Sequence, residues 1–458
     1  MPSAMRMRRL LGPTHRSLAR SRLRHSASGG SAFGVEPLGL RGTGDAGGGG
    51  GSDSPRENEF RHNLATDEWV VFSSARRERP RQLGAYPQPA QSSSDLPAHD
   101  DSCPFCAGNE RLTPRPVLTD RGDDDGPWRL RVVPNKYPAV SPYHAYTIQR
   151  SLQVGDMPTE SDSYQLEESI DARGFHEVVI ETPRHNLPTA LAAPDDVERL
   201  VRAFRSRGRA MAATESQSQL QLRHLMYFKN SGTKAGASLL HPHSQILGLP
   251  IVPVEVAHRQ RHAREWFLRF RRNVFQHTLE AAMRERDAGG AHRVVRESDD
   301  FLTFVPFAAL SPFCLWIVPK ASDAHFHEAS DAQCASFAAA LRHALRCLHF
   351  GLQEPDFNMV IRSAALETGG RAIYRSDLFF RWCARWAVAC MPIYSSKTSI
   401  GVRTLRQRPY PHPRRYCLII PRLGVGQMGG FEFSTGIQSN SSFPEDDAAF
   451  LRSLGPLD

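Results

Sequence analysis

The pentapeptide HPHSQ at 241–245 sets two imidazoles and a primary amide at alternate positions. In an extended chain residues two apart share a face, so His241, His243, Gln245 and Leu247 point one way and Pro242, Ser244 and Ile246 the other. Imidazole, with a reference pKa of about 6.5, is largely neutral near pH 7. A neutral ring nitrogen attacking phosphorus forms a covalent phosphoramidate and divides one transfer into two steps. Gln245 can donate a hydrogen bond to a phosphoryl oxygen without acting as an acid. As an isolated string, HxHxQ equally describes polar residues of a half-exposed strand.

Three further segments carry usable chemistry. Just upstream, FKNSGTKAGASLL holds Gly232 and Gly236 among small residues, with Lys229, Lys234, Asn230 and Ser238 as donors; such a loop lets main-chain N–H groups approach phosphates. SCPFC offers the thiols of Cys103 and Cys106 across a short turn, and a tetrahedral zinc would take two more ligands from elsewhere. His185 in ETPRHN and His241 are the candidates, although spacing alone does not select them. SSARRERP places Arg76 and Arg79 after an apolar strand, where two guanidiniums clamp a phosphate or form a solvated charge run.

These residues need a scaffold, and the chain is long enough for one. With 458 residues and 40% hydrophobic composition it has room for two or three domains around a substantial core. No apolar run reaches the roughly 18–20 residues that would cross a bilayer. The net charge of +9 is unevenly spread: residues 1–42 carry +7 and residues 371–415 carry +9, leaving −7 for the rest. Basicity therefore belongs to two segments and not to the main body, which argues against a nucleic-acid-binding role. Eight cysteines in a chain of this length do not form a small disulfide scaffold, and a reducing compartment is expected.

The first 34 residues hold seven arginines, many serines and no acid, as in organelle transit peptides, and GTGDAGGGGGSDS reads as a flexible linker. Residues 1–58 are thus expected to be a plastid or mitochondrial transit peptide plus linker; without targeting, the location would be cytoplasmic. Beyond them DEWVVF, RLRVV, HEVVIE, LMYF and SQILGL read as short strands, and PDDVERLVRAF as a helix with acids in its first turn. A charged helical connector at 253–297 precedes a similar order: strands FLTFVPF and FCLWIVPK, then a helix with a capping box at Ser330 and Gln333. FNMVIRS and YCLIIPRL supply later strands. EVVIETPRH and CLWIVPKAS both end an apolar strand at proline plus a basic residue, which suggests two related α+β domains, 59–252 and 298–458.

Taken together, VVFSSARRERP, CPFC, RVVPNKYPAV, GFHEVVIETPRH, FKNSGTKAGASLLHPHSQ, FVPFAALSPFCLWIVPK and GGFEFSTG resemble, in this order, the galactose-1-phosphate uridylyltransferase family. That family is a branch of the histidine-triad superfamily and a close relative of ADP-glucose phosphorylase. The resemblance covers residues 59–370 and 415–450. It implies two histidine-triad-like domains, each a mainly antiparallel sheet with flanking helices. It further implies His243 as the nucleophile, Gln245 on the phosphoryl oxygens, and Cys103, Cys106, His185 and His241 around one structural zinc. Arg76, Arg79, Asn135, Asn230 and Ser238 match nucleotide or phosphate contacts, and Glu432 a sugar contact. A homodimer is implied as well.

Departures from the family's pattern are equally specific. No CxxC lies near 275–290, Asp300 stands where a histidine is often found, and RRYCLIIP lacks a histidine pair, so no second metal is expected. His325 and His327 read as surface polar residues before a helix. Residues 371–413 match nothing in the family and form an atypical insertion. The expected activity is UDP-glucose:hexose-1-phosphate uridylyl transfer in galactose and carbohydrate metabolism, with a nucleotide sugar and a sugar 1-phosphate as substrates. ADP-glucose phosphorolysis with inorganic phosphate is the alternative, and a non-catalytic zinc- and nucleotide-binding homologue a third. No nucleic-acid or membrane partner is expected.

Overall fold

The computed structural model describes residues 58–73, 92–122, 126–142, 148–149, 169–170, 172–214, 222–321, 324–366, 415–423, 429–455 and 457. Residues 1–57, Arg76, Arg79 and residues 371–413, where an insertion is expected, lie outside them. Among the described residues no helix is long and apolar enough to cross a membrane.

The strands follow the β-branched and aromatic runs. In chain order they are β1 (Glu59–Asn63), β2 (Glu68–Phe72), β3 (Leu118–Asp120), β4 (Leu130–Pro134), β5 (Ile148–Gln149), β6 (Ser169–Ile170), β7 (Phe175–Ile180), β8 (His224–Ser231) and β9 (His243–Leu249). They continue as β10 (Val294–Glu297), β11 (Phe301–Phe304), β12 (Leu315–Pro319), β13 (Phe357–Arg362), β14 (Tyr416–Pro421) and β15 (Gln438–Asn440). Ten of them form one antiparallel sheet in the order β3-β4-β7-β9-β8 and then β13-β14-β12-β11-β10 when read from the β3 edge. Each half has the same topology: a three-stranded meander, a helix, then two strands of which the later lies against the meander. The halves meet where β8 pairs with β13, with Asn230 opposite Asn358. β1, β2 and β15 make a separate three-stranded sheet, and β5 pairs with β6.

Helix α1 (Pro194–Thr214) occupies the crossover of the first half and α4 (Asp331–Gly351) that of the second. Asp195 and Asp196 stand in the first turn of α1, where the helix dipole favours negative charge. Its buried residues Val197, Leu200, Val201, Phe204 and Met211 recur at helical spacing, so one stripe faces the sheet. The capping box that opens α4 is present in both directions: Gln333 N–H donates to Ser330 Oγ at 3.1 Å, and Ser330 N–H to Gln333 Oε1 at 3.0 Å. The two helices pack on each other over one face of the sheet, with Tyr227 of β8 and Ile246 of β9 in the same core.

The expected helical connector is two helices, α2 (Val254–Phe270) and α3 (Val274–Asp287). Arg271 ends α2 in the left-handed region at φ 57°, and the Asn273 side chain caps α3 by accepting the N–H of Phe275. A short helix α5 (Gly430–Thr435) and a terminal α6 (Pro444–Ser453) complete the described chain. The opposite face of the first half carries a second apolar cluster, Cys103, Phe105, Cys106, Trp128, Val133, Val178 and Ile180. Register puts it beside the polar residues of β9, because Ile180 pairs with His243 and Val178 with Gln245.

Candidate functional site

β9 lies between β7 and β8 and begins at His243, so the last three residues of HPHSQ lie inside the sheet. Alternation sends Ile246 into the helix-side core and His243 and Gln245 to the other face. The His243 ring is 7% exposed, and the ring of Phe105 stands edge-on to it at 5.3 Å between centroids. Its Nδ1 is 2.8 Å from the carbonyl oxygen of His241, so Nδ1–H donates there and the neutral ring keeps its lone pair on Nε2. Burial lowers the pKa of this ring and the nearby Lys229 cation adds to that, against the opposing bond to His241. A neutral imidazole with one fixed tautomer is the form in which histidine acts as a nucleophile.

Cys103, Cys106, His185 and His241 come together from segments far apart in sequence. All four are buried, and their ligand atoms lie within 4.8 Å of one another, as in no other such group among the described residues. Cys103 Sγ is 3.7 Å and Cys106 Sγ 3.6 Å from His241 Nδ1, and Cys106 Sγ is 3.5 Å from His185 Nδ1. A tetrahedral zinc with ordinary Zn–S and Zn–N bonds sets sulfur and nitrogen about 3.6 Å apart. His241 Nε2–H donates to the Thr182 carbonyl at 2.8 Å, which leaves Nδ1 bare toward the thiols. Burial pushes the Cys103 thiol up to about 11 and the His241 imidazole down to about 4. The donor set, its separations and the outer hydrogen bond fit a metal ion such as zinc. Four protein ligands leave no open position, which is the pattern of a structural site.

Beneath β9, on the helix side, is a polar network that the sequence reading missed. Lys229 Nζ is 2.8 Å from Glu181 Oε1 and 3.3 Å from the carbonyl oxygen of His243. The Ser244 hydroxyl also donates to Glu181 Oε1, and Thr189 Oγ1 to Glu181 Oε2 at 2.6 Å. Burial works to raise the pKa of Glu181, but Lys229 and the two hydroxyls outweigh it and hold the carboxyl below its ordinary range. The available signal was the second acid of HEVVIE, Glu181, and the base of LMYFK, Lys229, each at a position of the same parity as buried apolar residues.

Gln245 Oε1 is 2.7 Å from His176 Nε2, and Asn135 Nδ2 lies 3.0 Å from that same nitrogen, so Asn135 and Gln245 are neighbours through His176. Asn230 is tied to the second half of the sheet, accepting from Asn358 Nδ2 at 2.9 Å. Ser238 is exposed in the glycine-rich loop. In that loop the N–H groups of Ala235, Gly236 and Ala237 bond to carbonyls of the loop itself, and that of Lys234 to Asp356 Oδ2 at 2.7 Å. These four donors are therefore occupied within the fold and do not form the expected phosphate cradle. Gly232 has φ +83°, and a Cβ there would collide with the Asp356 carboxylate. Gly232→Ala is expected to displace the loop and lower kcat/KM about tenfold or more without changing metal content, because left-handed backbone strain adds to the clash. An unchanged kcat/KM in the variant would remove the loop from the site.

A cavity of about 350 Å³ borders His241, Pro242, His243, Asn230 and Gly232 and runs on to Leu345, Leu348 and His349 of α4. Gln245, Asn135 and Glu432 do not line it. Glu432 is buried, and its Oε2 accepts the N–H of Gly429 at 2.8 Å, which caps the start of α5. His325 and His327 are half-buried with rings 5.5 Å apart, and they belong to no metal-binding group among the described residues. Arg76 and Arg79 fall outside the described residues.

Comparison with known proteins adds four findings. Residues 52–253 match the family described as galactose-1-phosphate uridyl transferase, N-terminal domain. The chain is 31% identical to ADP-glucose phosphorylase of Arabidopsis thaliana over 90% of its own length and 97% of the relative's. It is 26% identical to galactose-1-phosphate uridylyltransferase of Kluyveromyces lactis over 64% of its length and 73% of that protein's. Among solved structures, the Arabidopsis thaliana ADP-glucose phosphorylase with bound ADP-glucose superposes with a TM-score of 0.61 at 27% identity, covering 87% of this chain and all of that one.

Proposed function

The chain belongs to the galactose-1-phosphate uridylyltransferase family, and from that premise we propose that it moves adenylate from ADP-glucose to inorganic phosphate through a covalent intermediate on His243. Support for the adenine nucleotide comes from the relative matched over 97% of its length, against 73% for the Kluyveromyces lactis uridylyltransferase. The uridylyl reading favoured by sequence motifs alone becomes the second choice, since HPHSQ serves either base. The matching topology of the two half-sheets supports reading them as two histidine-triad-like domains.

The observation that carries the mechanism is the bond from His243 Nδ1–H to the His241 carbonyl. It leaves Nε2 to attack the α-phosphorus of ADP-glucose. The P–N bond forms as the bond from the α-phosphorus to the bridging oxygen breaks, releasing glucose 1-phosphate. Inorganic phosphate then attacks the same phosphorus, the P–N bond breaks, and ADP leaves with His243 restored. Gln245 donates to the phosphoryl oxygens, and Asn135, Asn230, Ser238, Arg76 and Arg79 hold the nucleotide and phosphates, with Glu432 on the sugar. Alignment and electrostatic clamping supply most of the rate, as phosphoryl transfer requires. A homodimer forms part of the same proposal.

Zinc held by Cys103, Cys106, His185 and His241 would pin the 98–109 segment to the start of β9 and so fix the carbonyl that orients His243. The purified chain is expected to carry one zinc, and Cys106→Ser to lose it along with most activity. Metal analysis returning no zinc from active wild-type protein would remove it from the account. The function itself is tested by an exchange assay with ADP-glucose and UDP-glucose side by side. Phosphate-dependent release of ADP is expected, and a strict requirement for UDP-glucose with a hexose 1-phosphate would restore the uridylyl reading.

A further inference from the structure

We infer that His176, which none of the sequence motifs singles out, is a positioning residue that fixes which end of the Gln245 amide faces the reacting phosphoryl group. The inference rests on the reading of His243 and Gln245 given above.

His176 sits on β7 opposite Leu247, on the same side of the sheet as Gln245. Its Nδ1 is 3.0 Å from the main-chain N–H of Ala139, which can only donate, so Nδ1 must be the accepting nitrogen. In a neutral ring the proton then lies on Nε2, which is 2.7 Å from Gln245 Oε1 and donates to it. Asn135 Nδ2 also approaches Nε2, at 3.0 Å, and its amide is oriented by Asn135 Oδ1 accepting the N–H of Tyr137 at 2.9 Å. The opposite tautomer would suit Asn135 but would set Nδ1–H against the Ala139 N–H and a bare Nε2 against the Gln245 oxygen. One donor–donor clash is less costly than a donor–donor clash together with an acceptor–acceptor one, so the Nε2–H form holds.

With its oxygen engaged by His176, Gln245 presents its NH₂ group on the remaining side. A free glutamine amide can rotate by half a turn and offer its oxygen instead, which would repel an anionic phosphoryl group. His176 removes that alternative. The relay runs from the Ala139 N–H through the imidazole to the amide, so it selects a donor at the position where negative charge develops.

The test is a double-mutant cycle on the full chain, reading the single-turnover rate of nucleotide transfer to His243. His176→Ala and Gln245→Ala are each expected to slow transfer by about tenfold to a hundredfold with KM changed by less than about threefold. The double variant should be no slower than Gln245→Ala within about twofold, since His176 acts through the amide. Losses that multiply would overturn the inference, because they are what a general structural defect produces. A second arm needs no turnover: ring ¹⁵N NMR of histidine-labelled protein, with His176 identified by its loss in His176→Gln, should find the Nε2–H tautomer. The Nδ1–H tautomer would overturn the inference even in an active enzyme. Absence of any adduct on the wild-type chain would instead count against the proposed reaction, leaving the NMR result to decide the role of His176.

Discussion

Replacing His243 with asparagine is expected to lower turnover by about 10⁴-fold or more, because no other group can take over as the covalent carrier. Asparagine keeps a polar side chain of similar reach in a pocket that leaves the native ring 7% exposed, so the fold and the metal content should be retained. The loss is expected in both half-reactions, with exchange of labelled glucose 1-phosphate into ADP-glucose abolished together with ADP formation. A variant that retains exchange within about tenfold of wild type would contradict a covalent step on this ring. KM is of little use here, since binding contacts to base and sugar are unaltered.

The second large effect concerns stability. Glu181→Ala leaves the ammonium of Lys229, which is 4% exposed, without its carboxylate 2.8 Å away. Breaking one side of a buried pair costs about 3–5 kcal/mol, most of it the penalty of an uncompensated charge. Lys229→Met alone should cost a similar amount by stranding Glu181, whereas Glu181→Gln combined with Lys229→Met should recover much of the loss. The pH dependence follows from the direction of the shift. The folded-state pKa of Glu181 is depressed below its unfolded value of about 4.3. Its contribution is therefore fully present above that unfolded value and disappears as pH falls through the lower folded value. Urea denaturation at neutral pH should find the single variants several kcal/mol less stable, with the gap from wild type closing in acid. Single variants that cost less than about 1 kcal/mol would mean that water reaches this network.

The same pair has a functional side. Lys229 Nζ also contacts the carbonyl oxygen of His243, so the network steadies the strand that carries the nucleophile from the face opposite its ring. Loss of Glu181 should accordingly reduce activity in the surviving folded fraction, although less than loss of His243.

Local patterns in the sequence foretold the elements well. Alternation in HPHSQIL separated Ile246 in the core from His243 and Gln245 on the other face, and Ser330 with Gln333 marked the start of α4. Cross-strand register is a different matter, since periodicity says which face a residue occupies and nothing of its neighbour on the next strand. Lys229 thus reads as a donor of the glycine-rich loop, whereas it is buried against Glu181, 48 positions away. For the same reason Cys103 and His241, 138 positions apart, could be joined only through the family resemblance and not through spacing. The break between α2 and α3 has no glycine to mark it, because Arg271 takes the left-handed conformation there. Pairing of β8 with β13, which fuses the two half-sheets, had no local signature at all. Base preference was likewise illegible, because nothing in the HPHSQ pattern discriminates adenine from uracil.

One measurement bears most directly on the account: mass spectrometry of the wild-type chain and of His243→Asn after incubation with ADP-glucose, and separately with UDP-glucose, in the absence of phosphate. A covalent step on His243 requires adenylate on a peptide containing that residue, formed faster than any uridylate, absent from the variant and discharged as ADP when phosphate is added. An adenylated His243→Asn chain, or wild-type protein that forms ADP from ADP-glucose and phosphate without ever carrying the nucleotide, would contradict it.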